Sequence, residues 1–283
     1  MQRLCLNDTD GTKLLRLHAL EAQADGIVDS VNLVYYPPGF SMPKHGHEHA
    51  QLSIVLAGQA CEDDQLGSRR IDPNIVNIKP RAYQHENRFG QHGATFLSVN
   101  INAETHALRD EYGALNTQLS ATAKARPLAQ FLINALLNTT SNNEPQLNTQ
   151  TLDHDIEWAV LDLIHLVNTP RTHSGPPPLW LQHACEAVID TPWSCHQIAD
   201  ELGVHRVHLS RMFKRYYGCT LSHYRQLAKV QHSVGLLLSP SKRNITHLDH
   251  QFSDHSHLNR LFHHQFGTTA ARFRHAFSAP HQH

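Results

Sequence analysis

The chain has little charge. Only 17% of its 283 residues are charged, and 24 Lys+Arg against 25 Asp+Glu leave a formal net charge of −1 with histidine neutral. That balance excludes a uniformly basic nucleic-acid coat and a strongly acidic disordered chain, and taken alone it forecasts no nucleic-acid partner. Cysteine is scarce too. Cys5, Cys61, Cys185, Cys195 and Cys219 form no C-x-x-C pair and no regular spacing, which argues against a disulfide framework. Reduced thiols in a cytosolic protein are expected. No apolar run reaches the length of a membrane helix or a secretion signal, and Met1–Asp10 is polar, so a cytoplasmic location with no membrane partner is expected. The length is ample for two or three domains with real cores.

What the chain does hold is a repeat near its C-terminus. Leu-x-Arg-x-Phe-x4-Gly occurs at Leu209–Arg211–Phe213–Gly218 and again, 49 residues on, at Leu258–Arg260–Phe262–Gly267. The register continues, since Tyr224-Arg225 is echoed by Phe273-Arg274. A duplicated helical unit with a basic residue at the same place suggests two reading heads for one long ligand, and DNA is the natural candidate. The first copy carries the fuller local signal. Ser194-Cys195-His196-Gln197 is a Ser-x-x-Gln capping box that starts a helix. Ile198, Ala199 and Leu202 follow at helical spacing, and Gly203 ends the helix. A second helix runs from about Arg206, with Leu209, Met212 and Phe213 inward and Gly218 at its end. A small Ala, a Gly four residues on and a Leu six after that form a helix-turn-helix pattern. The outward face offers Arg206, Val207, Ser210, Arg211 and Lys214, suited to a major groove. A small helical bundle with a solvated basic face is the alternative for one such unit; the echo favours DNA.

On these residues, 179–278 resemble the DNA-binding domain of AraC/XylS-type regulators. The resemblance implies an all-α domain of seven helices, with two helix-turn-helix units on a joining helix at about Leu221–Leu238, ended by Ser239-Pro240. By position it places base-reading residues at Val207, Ser210 and Arg211 in the first unit and at His255, Ser256 and Arg260 in the second. Arg206, His208 and Lys214 would sit nearer phosphates. Two heads on one linker would enter successive major grooves roughly 34 Å apart. The second unit departs from the pattern. Its leading helix, Ile245–Phe252, is about two residues short, the usual Ala falls on Asp249 or His247, the turn Gly is Gln251, and Gly267 is followed by Thr268-Thr269-Ala270 instead of Pro. The first unit is therefore expected to supply most of the specificity.

Charge divides along the same line. Residues 179–283 hold 11 Lys+Arg against 6 Asp+Glu, whereas 1–178 hold 13 against 19. A basic module tethered to an acidic one suits phosphate binding by the former. Fifteen of the 25 histidines also follow residue 178, so DNA affinity should rise on acidification and fall steeply with salt. Thr169–Pro178, with four prolines and a glycine, reads as a stiff linker before the DNA module.

The N-terminal third reads as short alternating strands, among them Val31–Tyr35, Gln51–Leu56, Ile75–Ile78 and Thr95–Ile101, which suggests a barrel or double-sheet jelly roll. Within them Gly39-x5-His45-x-His47-x3-Gln51-x6-Gly58 and Pro80-x-Ala82-x2-His85 resemble the two cupin motifs. The family pattern puts metal ligands on two His, a Glu and a later His. Here Gln51 stands in the Glu position and Ala82 in that of a Gly, while the three His remain. If His45 and His47 alternate in one strand they face the interior together, and His49 with them. His45, His47 and His85 with an open position suit Zn, Ni, Cu or Fe. Alternatively His45, His47, Gln51 and His85 line a metal-free effector pocket. The loss of the carboxylate favours the pocket.

From about Ala103 to Asn168 the chain reads as helical. Leu152, Ile156, Ala159/Val160, Leu163 and Val167 form an amphipathic stripe. It either packs on its own barrel or, as in sensor domains the family implies, pairs with a second copy; the homodimer is favoured. The expectation is thus an α+β multidomain chain. It has a cupin-like barrel at 1–103, a helical dimerisation segment at 104–168, a linker at 169–178 and a double helix-turn-helix domain at 179–283. Its expected function is sequence-specific binding to a double-stranded DNA operator under control of a small-molecule effector, without enzyme activity, with RNA polymerase a further implied partner. The alternative is a metal-dependent cupin enzyme or a metal sensor with a DNA-binding tail.

Overall fold

A computed structural model describes residues 2–7, 10–18, 26–65, 67–102, 118–121, 124–138, 149–168, 177–239 and 255–278. Nine strands come first: β1 (Gln2–Asn7), β2 (Lys13–His18), β3 (Val28–Tyr36), β4 (Ser41–His45), β5 (Ala50–Asp64), β6 (Gly67–Ile71), β7 (Ile75–Lys79), β8 (His85–Ile101) and β9 (Gln118–Ala121). They make one sheet in the order β1-β2-β3-β8-β5-β7-β9, with β4 on β8 and β6 on β5. Every pairing given is antiparallel.

The sheet folds over itself because β5 and β8 bend together. Pairing is regular from Ala50↔Ile101 to Val55↔Phe96, then breaks at two bulges before resuming at Ala60↔Phe89. Gly58 (φ 82°) and Gly93 (φ 70°) sit at the break in conformations other residues rarely adopt. A Cβ on Gly58 would lie 2.2 Å from the Gly93 carbonyl oxygen, so the close crossing requires glycine.

Two-residue periodicity then sorts the side chains. Val31, Leu33, Leu52, Ile54, Val76, Ile78, Leu97 and Val99 point to one face and belong to the main buried cluster. The alternate positions run polar across four strands: Ser30, Asn100, Gln51 and Lys79 in one row, Asn32, Ser98, Ser53 and Asn77 in the next. The apolar face packs against helices, and the polar face lines the inside of the fold.

Eight helices follow among the described residues: α1 (Ala125–Asn138), α2 (Thr149–Asn168), α3 (Leu179–Asp190), α4 (Cys195–Glu201), α5 (Arg206–Tyr217), α6 (Leu221–Leu238), α7 (His255–Phe266) and α8 (Ala270–Ser278). They fill two separate cores. The N-terminal half of α6 joins α3–α5 around Phe213, Tyr217 and Tyr224. The C-terminal half of α6 joins α1, α2, α7, α8 and the sheet in one continuous cluster that includes Val234, Phe262 and Phe273.

The joining helix ends with Ser239 as its C-cap, as expected from Ser239-Pro240. The four expected strands all lie within β3, β5, β7 and β8, but β5 has 15 residues and β8 has 17, because a bent strand carries no turn signal to stop it. The stretch expected to be helical from Ala103 contains β9, whose pairing with β7 is a long-range contact absent from local pattern. The strand expected to carry both His45 and His47 ends at His45. The α2 stripe, from Ile156 to Val167, is buried in its own chain's core. The expected helix Ile245–Phe252 and most of the 169–178 linker lie outside the described residues. Among those residues no helix is long and apolar enough to cross a membrane.

Candidate nucleic-acid interface and barrel site

The first unit is built by its caps. The Ser194 hydroxyl accepts from the Gln197 N–H at 3.3 Å while Gln197 Oε1 accepts from the Ser194 N–H at 2.9 Å. Ala199 is fully buried in the core that α4 and α5 share. Gly203 (φ 63°) makes the turn, and Gly218 (φ 68°) ends α5 in the left-handed region. His205 caps α5, its Nδ1 accepting from the Val207 N–H at 3.3 Å. With Leu209, Phe213 and Tyr217 buried inward, the opposite face presents Arg206, Val207, Ser210, Arg211 and Lys214 to solvent. Val207 is 40% exposed, a cost that a dry contact such as a thymine methyl would relieve. His208 leans on Trp180, ring centroids 5.5 Å apart, so its ring is committed to α3.

In the second unit α7 exposes Ser256 and Arg260 and buries Leu258, Phe262 and Phe266. His255 opens the helix, and its side chain lies outside the described set. This unit is anchored from behind. Gln265 Nε2 donates to the Leu56 carbonyl of β5, and Gln130 Nε2 of α1 donates to the His264 carbonyl at 2.7 Å.

Sequence reasoning noted the Tyr224-Arg225 echo without its purpose. Arg225 donates to the carbonyls of Val188 (2.9 Å) and Trp193 (2.6 Å), holding α6 against the turn that precedes α4. The Tyr224 hydroxyl donates to Asp72 and accepts from Gln59 (3.2 Å) and Arg70 (3.3 Å), all on the barrel. Further along α6, Gln231 accepts from the Thr95 hydroxyl at 2.7 Å and donates to the His92 carbonyl at 3.2 Å. The helix that joins the two units is thus bonded to the barrel by buried polar groups. The partners are 136 to 165 residues apart, which no local signal reveals.

The family described as "Helix-turn-helix domain" matches residues 198–276, which takes in α5 to α7 and most of α4 and α8. The C-terminal region is an AraC-type helix-turn-helix domain. The protein is therefore a DNA-binding regulator of transcription. Solved structures similar to this chain include the AraC-like transcriptional activator CuxR, at 17% identity over 76% of this chain and 78% of that one (TM-score 0.40). ToxT from Vibrio cholerae matches at 11% identity over 95% and 98% (TM-score 0.35). KdgF from Halomonas sp. matches at 16% over 34% and 84% (TM-score 0.30). No curated protein sequence matches the chain.

The regulator's barrel brings its three expected histidines together. His45 closes β4, His85 opens β8 opposite it, and His47 follows two residues past β4. Ring centroids lie 4.4, 5.0 and 5.2 Å apart, and one ring nitrogen of each falls within 4.8 Å of the others. Gln51 lies nearby in the same cavity, its amide donating to Asn100 at 3.4 Å. His49 is not in the cluster.

Two residues that sequence reasoning missed change the chemistry. Lys79, last in β7 and 5% exposed, places Nζ 3.0 Å from His85 Nε2 and forms an ion pair with the fully buried Glu62. Arg69 grips the same carboxylate at 2.7 Å and Asp64 at 2.8 Å. Although burial alone would raise it, Lys79 and Arg69 hold the Glu62 carboxyl below its ordinary range. Burial and Lys79 push His85 down to about 3; burial, Lys79 and His45 push His47 down to about 4. All three rings border a cavity of about 50 Å³, which the Tyr36–Phe89 stack (4.1 Å) and Phe96, edge-on to Phe89, also line.

The motif implies a divalent metal, and the donor set as it stands does not fit one. His85 Nε2 already faces an ammonium, and the motif's carboxylate position is the neutral Gln51. The signal in the sequence was parity: Lys79 follows Ile78 on the same side of β7 as Asn77.

Proposed function

We propose that this regulator is effector-responsive: a small molecule bound in the barrel, among His45, His47, Gln51 and His85, biases how the helix-turn-helix units are presented to operator DNA. The observation that carries the reading is the set of buried bonds from α6 to the barrel. Gln231 is fully buried and bonded to the two ends of the β8 bend, at His92 and Thr95. The same strand supplies Phe89, Phe96 and Ser98 to the cavity wall. A ligand that moves β8 therefore meets α6 without any intervening element. Coupling follows only if the ligand binds one arrangement better than the other.

On the DNA side, Val207, Ser210 and Arg211 are proposed to read bases, Arg206 and Lys214 to hold phosphates, and α7 to contribute through Ser256 and Arg260, with His255 at its start. Arg is the side chain best suited to bidentate reading of guanine. The first unit is proposed to dominate, and the working form is proposed to be a homodimer in the cytoplasm.

The test is operator affinity with and without the small-molecule fraction of a cell extract, comparing the wild-type chain with Ser98→Phe, which fills the cavity. The expected outcome is a shift in wild-type affinity that Ser98→Phe abolishes. Equal shifts in both would place the effector elsewhere.

A further inference from the structure

We propose that the ammonium of Lys79 is the resident cation of the His45–His47–His85 cluster, and that this barrel works without a bound metal ion. The position of Lys79 is fixed by the sheet. It pairs with Gln51 across β7 and β5, on the polar interior face, in the position from which a side chain reaches the cluster. Glu62 holds the far side of the ammonium, and Arg69 and Tyr83 pin the acids around it: Arg69 donates to Glu62, and the Tyr83 hydroxyl bonds Asp64.

His85 then decides the matter. To accept from an ammonium at 3.0 Å, Nε2 must be unprotonated, so the ring proton sits on Nδ1, which faces the Tyr83 carbonyl at 3.4 Å. The lone pair that would bind a metal is spent on Lys79. An ion about 2.0–2.1 Å from Nε2 would need that lone pair and would have to displace an ammonium from its carboxylate partner. Two further facts point the same way. The neutralising carboxylate of the motif is replaced by Gln51, and the buried carboxylate that faces Lys79, Glu62, is engaged by two cations. Without His85, two imidazoles remain, fewer than the three protein ligands that zinc sites of this kind require. Lys79 thus takes the place at His85 Nε2 that a metal would take, and it gives Glu62 a partner.

Removing the ammonium should release His85 Nε2 and create a three-imidazole site. Total metal content cannot report this in a chain with 25 histidines, so the readout must belong to the cluster. Cobalt(II) titrations of the wild-type, Lys79→Met, Lys79→Met/His85→Ala and His85→Ala proteins, followed by visible d–d absorption, supply it.

The expected result is an absorbing site in Lys79→Met alone, on the order of 10–100-fold tighter than any wild-type binding and lost with His85. Cobalt bands in the wild type that His85→Ala removes would overturn the proposal, as would a folded Lys79→Met that gains no site. Should Lys79→Met fail to fold by circular dichroism, ¹⁵N NMR of wild-type His85 decides. A protonated Nδ1 and signals unmoved by one equivalent of zinc support the proposal, and a zinc-induced shift of those signals refutes it.

Discussion

At the scale of single residues, the recognition face of α5 divides into groups that specify and groups that only hold. Arg211 is exposed in the middle of that face, while Lys214 stands one turn further along. Arg211→Ala should cost about 1–3 kcal/mol of operator binding and relax specificity at one base pair, whereas Lys214→Ala should weaken all sequences alike. Competition binding against single-base operator variants separates the two. If Arg260→Ala abolishes specific binding while Arg211→Ala leaves it intact, the ranking of the two units is wrong. Residues like these were legible in the sequence because their neighbours announce them: caps, a turn glycine and helical spacing fix which side of α5 faces out. Lys79 and Glu62 were not, since their meaning depends on β5, β7 and β8 lying side by side.

At the scale of elements, the two helix-turn-helix units stand on different foundations. Phe213 belongs to a core made by α3–α6, and Phe262 to the core shared with the sheet. Each is fully buried, so replacement by Ala should cost roughly 3–5 kcal/mol. The damage should fall in different places. In hydrogen exchange, Phe262→Ala should raise exchange in β2, β3 and β5, while Phe213→Ala should leave those strands protected. Uniform loss of protection in both variants would mean a single cooperative unit. Helix ends were legible, as the α6 boundary at Ser239 attests, because caps are local. The strand β9 and the extension of β5 and β8 were not, because pairing partners lie far along the chain.

At the scale of the whole molecule, the contacts that α6 makes with the barrel and with α7 are sensitive to pH. His232 on α6 meets His92 of the barrel with ring centroids 6.0 Å apart, and burial followed by the His92 charge lowers its pKa. His223 meets His264 of α7 at 5.2 Å, lowered by burial, then His264, then Arg126. A lowered folded-state pKa means the unfolded chain binds protons first. The stability these pairs support is therefore present above the unfolded value of about 6.5 and lost as pH falls below it. Denaturant midpoints should drop from pH 7.5 to 5.5, and the drop should shrink in His223→Gln/His232→Gln.

Oligomeric state is a second property at this scale. The α2 stripe is spent inside its own chain, yet Trp158 on the same helix is 57% exposed. If the homodimer uses that outward face, Trp158→Glu should convert dimer to monomer in sedimentation. An unchanged dimer would place the interface elsewhere.

Sequence-specific DNA binding through the α5 face is checked by genome-wide mapping of the DNA recovered with the protein. The wild-type chain should occupy a small set of discrete sites sharing one motif, and that motif should be lost or blurred for Arg211→Ala. Recovery without a motif, or the same sites for both proteins, would contradict it.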